Sequence, residues 1–276
     1  MSELTVQELL ETRIVRLRDV ACRGTCRHAS EEECARETSL AFPYRGVYVR
    51  HVGREQVVAE ANQVVFFNAG EPYRVSHPVA GGDANLTVTV APGLLAELAP
   101  RGMLRDGDAP AFTRQRLRID ARAQALAGLL RHSLKCGTIE TLEAETLALT
   151  LVRRAIGERT AHVPGASAGR RKLVDRAKVA LASDVARRWT LAEIASAVGT
   201  SPVYLTQVFR QVEGLPLYRY QLRLRLARAI ERLADDVDLT TLALDLGFSS
   251  QSHFTAAFRQ AYGSTPGQFR ASTGLR

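Results

Sequence analysis

Cysteine, tryptophan and long apolar runs are scarce in this chain of 276 residues, which has four Cys and one Trp, and each shortage excludes something. No stretch approaches the roughly 18 consecutive apolar residues of a membrane-spanning helix. The opening MSELTVQELLETR has neither a basic start nor an apolar core of the signal-peptide kind, so a cytoplasmic location with no membrane partner is expected. A P-loop, a nucleophile elbow and a dinucleotide-binding G-x-G-x-x-G are missing. No Ser, His and acid stand at a spacing that sequence alone would single out, so the chain reads as no enzyme, with no catalytic residue and no cofactor. What remains is ordinary for a folded protein, 46% apolar and 24% charged, and long enough for two domains.

Charge is unevenly spread. Residues 170–276 hold 16 Lys+Arg against 9 Asp+Glu, a net +7, while residues 1–169 hold 21 against 20. The basic segment also contains a repeat. LAEIASAVGTSPVYLTQVFRQVEG from Leu191 and LTTLALDLGFSSQSHFTAAFRQAYG from Leu239 align at an offset of 48, pairing Gly199 with Gly247 and Ser201 with Ser249. One inserted residue then shifts the offset to 49, pairing Thr206 with Thr255, Phe209 with Phe258 and Arg210 with Arg259. An internal repeat fixes architecture before any single residue does.

Each copy reads as a short helix ended by glycine, then a serine N-cap opening a second helix, which is helix-turn-helix grammar. Leu205, Val208, Phe209 and Val212, and in the second copy Phe254, Ala257, Phe258 and Ala261, fall at i, i+3, i+4, i+7 and form inward stripes. The outward stripes are Val203, Thr206, Gln207 and Arg210, and Ser252, Thr255, Ala256 and Arg259. From them and the turns come the candidate DNA-binding residues: Ser201, Val203, Tyr204, Thr206, Gln207 and Arg210 in the first unit, and Ser249, Ser250, Gln251, Ser252, His253, Thr255 and Arg259 in the second. Thr206, Gln207, Gln251, Ser252 and Thr255 could reach base edges, while Arg210 and Arg259 suit phosphates. Between the units, Pro216 to about Asp235 reads as one helix carrying Arg219, Arg223, Arg225, Arg228 and Arg232. Some 20 residues at about 1.5 Å each span about 30 Å, close to the roughly 34 Å between successive major-groove faces.

On these residues, with the closing Thr265-Pro266 and Phe269-Arg270, the segment resembles the DNA-binding domain of AraC/XylS-type transcription regulators. The resemblance implies two recognition helices in adjacent major-groove segments of double-stranded DNA, joined by a long helix; Ala256 departs from the longer polar side chain common there.

From Arg13 to about Asp120 the pattern changes to short alternating segments (13–20, 46–52, 56–59, 64–67, 73–76 and 86–90) punctuated by Gly, Pro, Asn and Asp, as in an all-β barrel or sandwich. In a chain of the AraC/XylS type such a region looks like a cupin barrel that senses a small-molecule effector. His51, Glu71 and His77 are its candidate metal ligands, but their spacing is not that of metal cupins, and no metal is assigned. Cys22, Cys26, His28 and Cys34 do not follow a standard zinc spacing either; free thiols, zinc and redox sensing are the alternatives.

Ala121 to Lys135 and Thr138 to about Glu158 read as two helices whose apolar residues Leu126, Leu129, Leu130, Leu142, Leu149 and Val152 are expected to pack on the barrel and on a second copy of the chain. The expected class is α+β in two domains: a cupin-like β sensor (1–120), a helical dimerisation segment (121–160), a flexible linker (161–169), and an all-α DNA-binding domain (170–276) with helix-turn-helix units at 191–213 and 239–262. The function expected is sequence-specific transcription regulation by a homodimer under effector control, with RNA polymerase a candidate partner. The competing reading is a cupin-type enzyme, or a metal or redox sensor, in which DNA binding is secondary.

Overall fold

The computed structural model describes residues 4–24, 28–157, 167–235 and 238–273. Strands fill the first part. Six of them, β1 (Leu4–Glu11), β2 (Val15–Cys22), β4 (Ser39–Gly46), β7 (Gln63–Phe67), β9 (Asp83–Val90) and β12 (Arg116–Arg118), form an antiparallel sheet in the order β1-β2-β9-β4-β7-β12. A second sheet contains β3 (Glu33–Cys34), β8 (Pro72–Ser76), β5 (Tyr48–Val52) and β6 (Glu55–Ala59) in the order β3-β8-β5-β6, and β10 (Leu104–Arg105) pairs with β11 (Ala111–Phe112). Helix α1 (Pro92–Leu98) follows β9.

The large sheet is covered on both faces. Alternate residues Leu40 and Phe42 of β4, Val64 and Phe66 of β7, and Leu86 and Val88 of β9 share a core with Leu130, Ala148, Leu151 and Val152 of α2 (Ala121–Cys136) and α3 (Thr141–Ile156). The intervening Ala41 and Val65 instead meet Tyr48, Val57 and Ala59 of the smaller sheet. Period-2 alternation thus places one set of side chains under helices and the other under a sheet. Among the described residues no strand pairing joins the six-stranded sheet to the four-stranded one, so the expected closed barrel is not formed.

The sequence pattern does not mark β1, β3, β4, β10, β11 or β12, and for the two long ones, β1 and β4, the physical reason is plain. The outer residues of β1 are exposed, leaving no alternation to detect. In β4, Pro43 looks like a breaker, yet it sits at a bulge opposite β9 and beyond the three residues that pair with β7, where a missing N–H is tolerated.

The remaining chain is helical: α4 (Ala168–Ser183), α5 (Leu191–Ala197), α6 (Pro202–Glu213), α7 (Leu217–Arg232), α8 (Leu239–Asp245), α9 (Gln251–Tyr262) and α10 (Pro266–Ser272). Ser167 caps α4, so helix begins inside the stretch expected to be linker; the rest of that linker lies outside the described residues. Helix α7 serves two cores. Its Tyr220, Leu224 and Ala227 join α4, α5 and α6, while Leu226, Ala229, Ile230 and Leu233 join α8, α9 and Phe269 of α10.

The two halves pack on each other through buried groups. Tyr220 donates its hydroxyl to Glu60, Asn62 Nδ2 donates to the Tyr220 carbonyl at 3.4 Å, and Arg116 pairs with Asp175 at 2.8 Å. The helical stripe expected to meet a second copy is largely used here: Leu130 and Val152 enter the sheet core, and Leu129 packs against the core of the second unit. Leu142 is the exception, 74% exposed.

Candidate nucleic-acid interface

Local sequence explains why both units fold as they do. Thr190 and Glu193 form a reciprocal capping box at α5, and this holds the Glu193 carboxyl down at about 2 through the Thr190 backbone hydrogen bond and the neighbouring Arg187. Ser201 Oγ accepts from Tyr204 N at 3.3 Å and so opens α6. At α9 the cap is Ser250, which accepts from His253 N at 3.1 Å. Ser249, paired with Ser201 in the sequence alignment, is therefore the inserted residue, and its hydroxyl lies 3.1 Å from His253 Nδ1. Gly247 has φ 77°, and a Cβ there would fall 2.0 Å from the Ala186 carbonyl oxygen, so only glycine fits.

The inward stripes are sealed: Leu205, Val208, Phe209, Val212, Phe254, Ala257 and Phe258 are all buried, and Ala261 is partly so. Trp189 packs against the first core, while Leu191 stays 39% exposed. Outside, Ser201, Val203, Tyr204, Thr206, Gln207 and Arg210 are exposed, as are Ser249, Ser250, Gln251, Ser252, His253 and Arg259; Thr255 is half-buried. Val203 is 68% exposed. Besides the capping serines and the Ser249–His253 contact, two further candidates are partly engaged within the chain. Thr206 Oγ1 donates back to the Pro202 carbonyl at 2.9 Å, and Gln251 Oε1 accepts from Thr240 Oγ1 at 3.0 Å.

The arginines of α7 do something the basic pattern did not announce. Arg225 donates to the carbonyls of Val185 (2.8 Å), Arg187 (2.9 Å) and Gly247 (3.2 Å), tying the α4–α5 turn to the turn of the second unit. Arg232 pairs with Asp245 at 3.0 Å. Arg225 thus joins the units to each other and Arg232 fastens α7 to α8, with burial drawing the Arg225 guanidinium below its ordinary pKa. The signal that could have found Arg225 is its place between Leu224 and Leu226, which enter opposite cores.

The metal expectations divide. Glu71 is taken up by Arg50 (3.3 Å), Arg105 (3.2 Å) and Gln115 (3.2 Å), and His51 by Ser76 at 2.8 Å, so neither joins His77. Of the cysteine cluster, Cys26 lies outside the described residues, while His28 and Cys34 are exposed. Cys22 instead meets His77 and Asp83.

Comparison with known proteins agrees with the geometry. The family described as "Helix-turn-helix domain" matches residues 194–272, from within α5 through α10, so this segment is similar to that family. The "HTH-type transcriptional activator RhaR" of Klebsiella pneumoniae is 33% identical over 130 residues, covering 45% of this chain and 43% of that protein. The "Probable transcriptional regulator LumQ" of Photobacterium leiognathi is 26% identical over 239 residues, covering 82% and 89%. A solved "transcriptional regulator (AraC-type DNA-binding domain-containing proteins)" of Chromobacterium violaceum is 30% identical, covering 39% of this chain and 96% of that one, with a TM-score of 0.37. The family model and the two sequence relatives make this segment similar to helix-turn-helix transcription regulators. The matched stretch spans less than half of RhaR.

Proposed function

We propose that the chain is a sequence-specific transcription regulator that reads double-stranded DNA with α6 and α9, its N-terminal region governing that binding in response to a small-molecule effector. The observation that carries this is the pair of helices with sealed inward faces and exposed polar outward faces, mounted on one shared helix. Thr206, Gln207, Ser252 and Thr255 are assigned to base edges and Arg210 and Arg259 to phosphates, because amide and hydroxyl side chains discriminate bases whereas a guanidinium serves any phosphate equally. The net +7 of residues 170–276 supplies the salt-dependent part of the affinity.

Effector control is supported by a cavity of about 290 Å³ between the halves, lined by Tyr44, Arg45 and Gly82 on one side and Asp184, Leu224 and Arg228 on the other. A ligand there acts on DNA binding only by favouring one arrangement of the halves over another. A homodimer in the cytoplasm, with RNA polymerase as a contact, belongs to the same reading. The sheet core and the core of the second unit take up most of the helical stripe, and Leu142 stays exposed.

Selection of binding sites from random duplexes, followed by anisotropy at several salt concentrations, tests the assignment. Gln207→Ala should relax preference at particular base pairs by about 1–3 kcal/mol. Arg259→Ala should weaken all sequences alike and flatten the salt slope by about one ion. An unchanged motif from Gln207→Ala would remove α6 from the base-reading role.

A further inference from the structure

The ends of three strands bring a thiol, an imidazole and a carboxylate together. Cys22 closes β2, Asp83 opens β9 directly opposite it in the sheet register, and His77 follows β8. One potential ligand atom from each lies within 4.8 Å of the others, and among the described residues this is the one such grouping of three. His77 and Asp83 are 5% exposed each.

Two features separate this cluster from a chance meeting. The first is its support. Asp83 Oδ2 lies 2.7 Å from His77 Nε2, and Asn85 Nδ2 donates to the other carboxylate oxygen at 2.7 Å, so both the ring and the carboxylate are oriented by neighbours. The backbones that carry the ligands are also pressed together. A Cβ on Gly82 would fall 2.1 Å from the Cys22 carbonyl oxygen, and one on Gly24 would fall 2.6 Å from Gly82 Cα. The second feature is burial: the Asp83 carboxylate and the His77 ring lie away from water, where a charged carboxylate needs a cation beside it. The ring nitrogen that faces Asp83 is Nε2, so the ion would sit between these two atoms and the ring proton would move to the buried Nδ1.

We propose that Cys22, His77 and Asp83 form a zinc site. The donor set is one sulfur, one nitrogen and one oxygen, which suits a borderline ion better than calcium or magnesium, whose ligands are oxygens. A thiolate and a carboxylate balance the charge of Zn²⁺, so the loaded centre is neutral and tolerates burial. Tetrahedral ligand atoms lie roughly 3–4 Å apart, within reach by small side-chain rotations, and a fourth position is left for water. On binding, the Cys22 thiol gives its proton to solvent and the imidazole stays neutral. The site fastens residues 77–83, of which Val79 to Gly82 form a wall of the cavity shared with Ala182 to Ala186. It stands independently of the DNA-binding reading.

The full chain, stripped with chelator and reloaded with Zn²⁺ or Co²⁺, tests the proposal. One ion per chain is expected, with a thiolate-to-cobalt charge-transfer band in the near ultraviolet. Zn²⁺ should shield Cys22 from alkylation, read by peptide mass spectrometry, and leave the exposed Cys34 and Cys136 reactive. Cys22→Ser and His77→Ala should each weaken binding by more than about 100-fold, and Asn85→Ala by about 10–100-fold. Should a variant fail to fold, the alkylation pattern of the unaltered chain decides. Retention of no ion at micromolar Zn²⁺, an absent charge-transfer band, or equal alkylation of Cys22 with and without metal would overturn the site.

Discussion

Around the first helix-turn-helix unit, the groups that meet the N-terminal region are charged or strongly polar. Lys178 and Glu213 form an ion pair at 0% and 3% side-chain exposure, and Arg116, Asp175, Glu60 and Tyr220 surround it. Burial pushes the Glu213 carboxyl up, but Lys178 and Arg116 outweigh it and hold it below the ordinary range. Glu60 goes the other way, since its complete burial is only partly offset by Lys178 and the Tyr220 hydroxyl. Around the second unit most contacts are neutral and close, with Arg45 and Glu231 the charged exception at 3.4 Å. Gly128 of α2 lies against Ile230, Ala125 and Leu129 join the core, His132 Nε2 meets the Ile230 carbonyl at 2.9 Å, and Tyr262 donates to Gln124 at 3.4 Å. Two copies of one motif are thus braced by different physics, and each should fail in its own way.

The largest effect is expected where a charge loses its partner. Lys178→Met leaves Glu213 buried without its nearest cation and should cost about 3–5 kcal/mol in denaturant unfolding, while adding Glu213→Leu should recover much of that. A loss below 1 kcal/mol would mean that Arg116 and Arg118 suffice, and the contrast between the units would weaken.

Acid should act on the second unit next. Burial, helped by Arg131, holds His132 down at about 4, from an ordinary 6.5, so the folded state keeps a neutral ring that the unfolded chain protonates. Its stabilisation is therefore present above about pH 6.5 and lost as the pH falls toward 4, by up to roughly 3 kcal/mol. Glu60, raised in the fold, contributes with the opposite sign. Unfolding followed across pH 7 to 4 should show the loss, and His132→Gln should flatten it. An unaltered slope in that variant would place the acid sensitivity elsewhere.

The smallest of the three is steric. A Cβ at position 128 would lie 2.2 Å from Ile230 Cγ2, so Gly128→Ala must push α2 off α7 and should cost about 1–3 kcal/mol by overpacking. Ile230→Val in the same background should relieve part of it, which thermal melts of the single and double variants would show.

Periodicity and capping made the helical half legible, because both are local. The inward stripes from Leu205 and Phe254 and the serine at α6 could be read at their own positions. The same alignment pairs Ser201 with Ser249 whereas the cap is Ser250, because an insertion between two serines leaves no mark in composition. The N-terminal strands were legible where one face is buried and lost where both faces are wet, as in β1, or where proline sits at a bulge, as in β4. Least legible was the packing between the halves. Glu60 and Tyr220 stand 160 residues apart, and no periodic pattern links them; the stripe through Leu129 announced that a partner exists and not which one. The exposed faces of α6 and α9 could be read as surfaces, but their engagement, such as Gln251 held by Thr240, depends on a neighbouring helix.

Because α7 contributes side chains to both cores, and Arg225 fastens the turn of one unit to the turn of the other, the recognition helices cannot adjust their separation or relative rotation without opening a core. On the DNA-binding reading the protein is then a gauge of fixed length, and any mismatch with the pitch of the duplex must be absorbed by the duplex. Base pairs between the two contacted segments, touched by neither helix, would acquire preference through how cheaply they bend or twist.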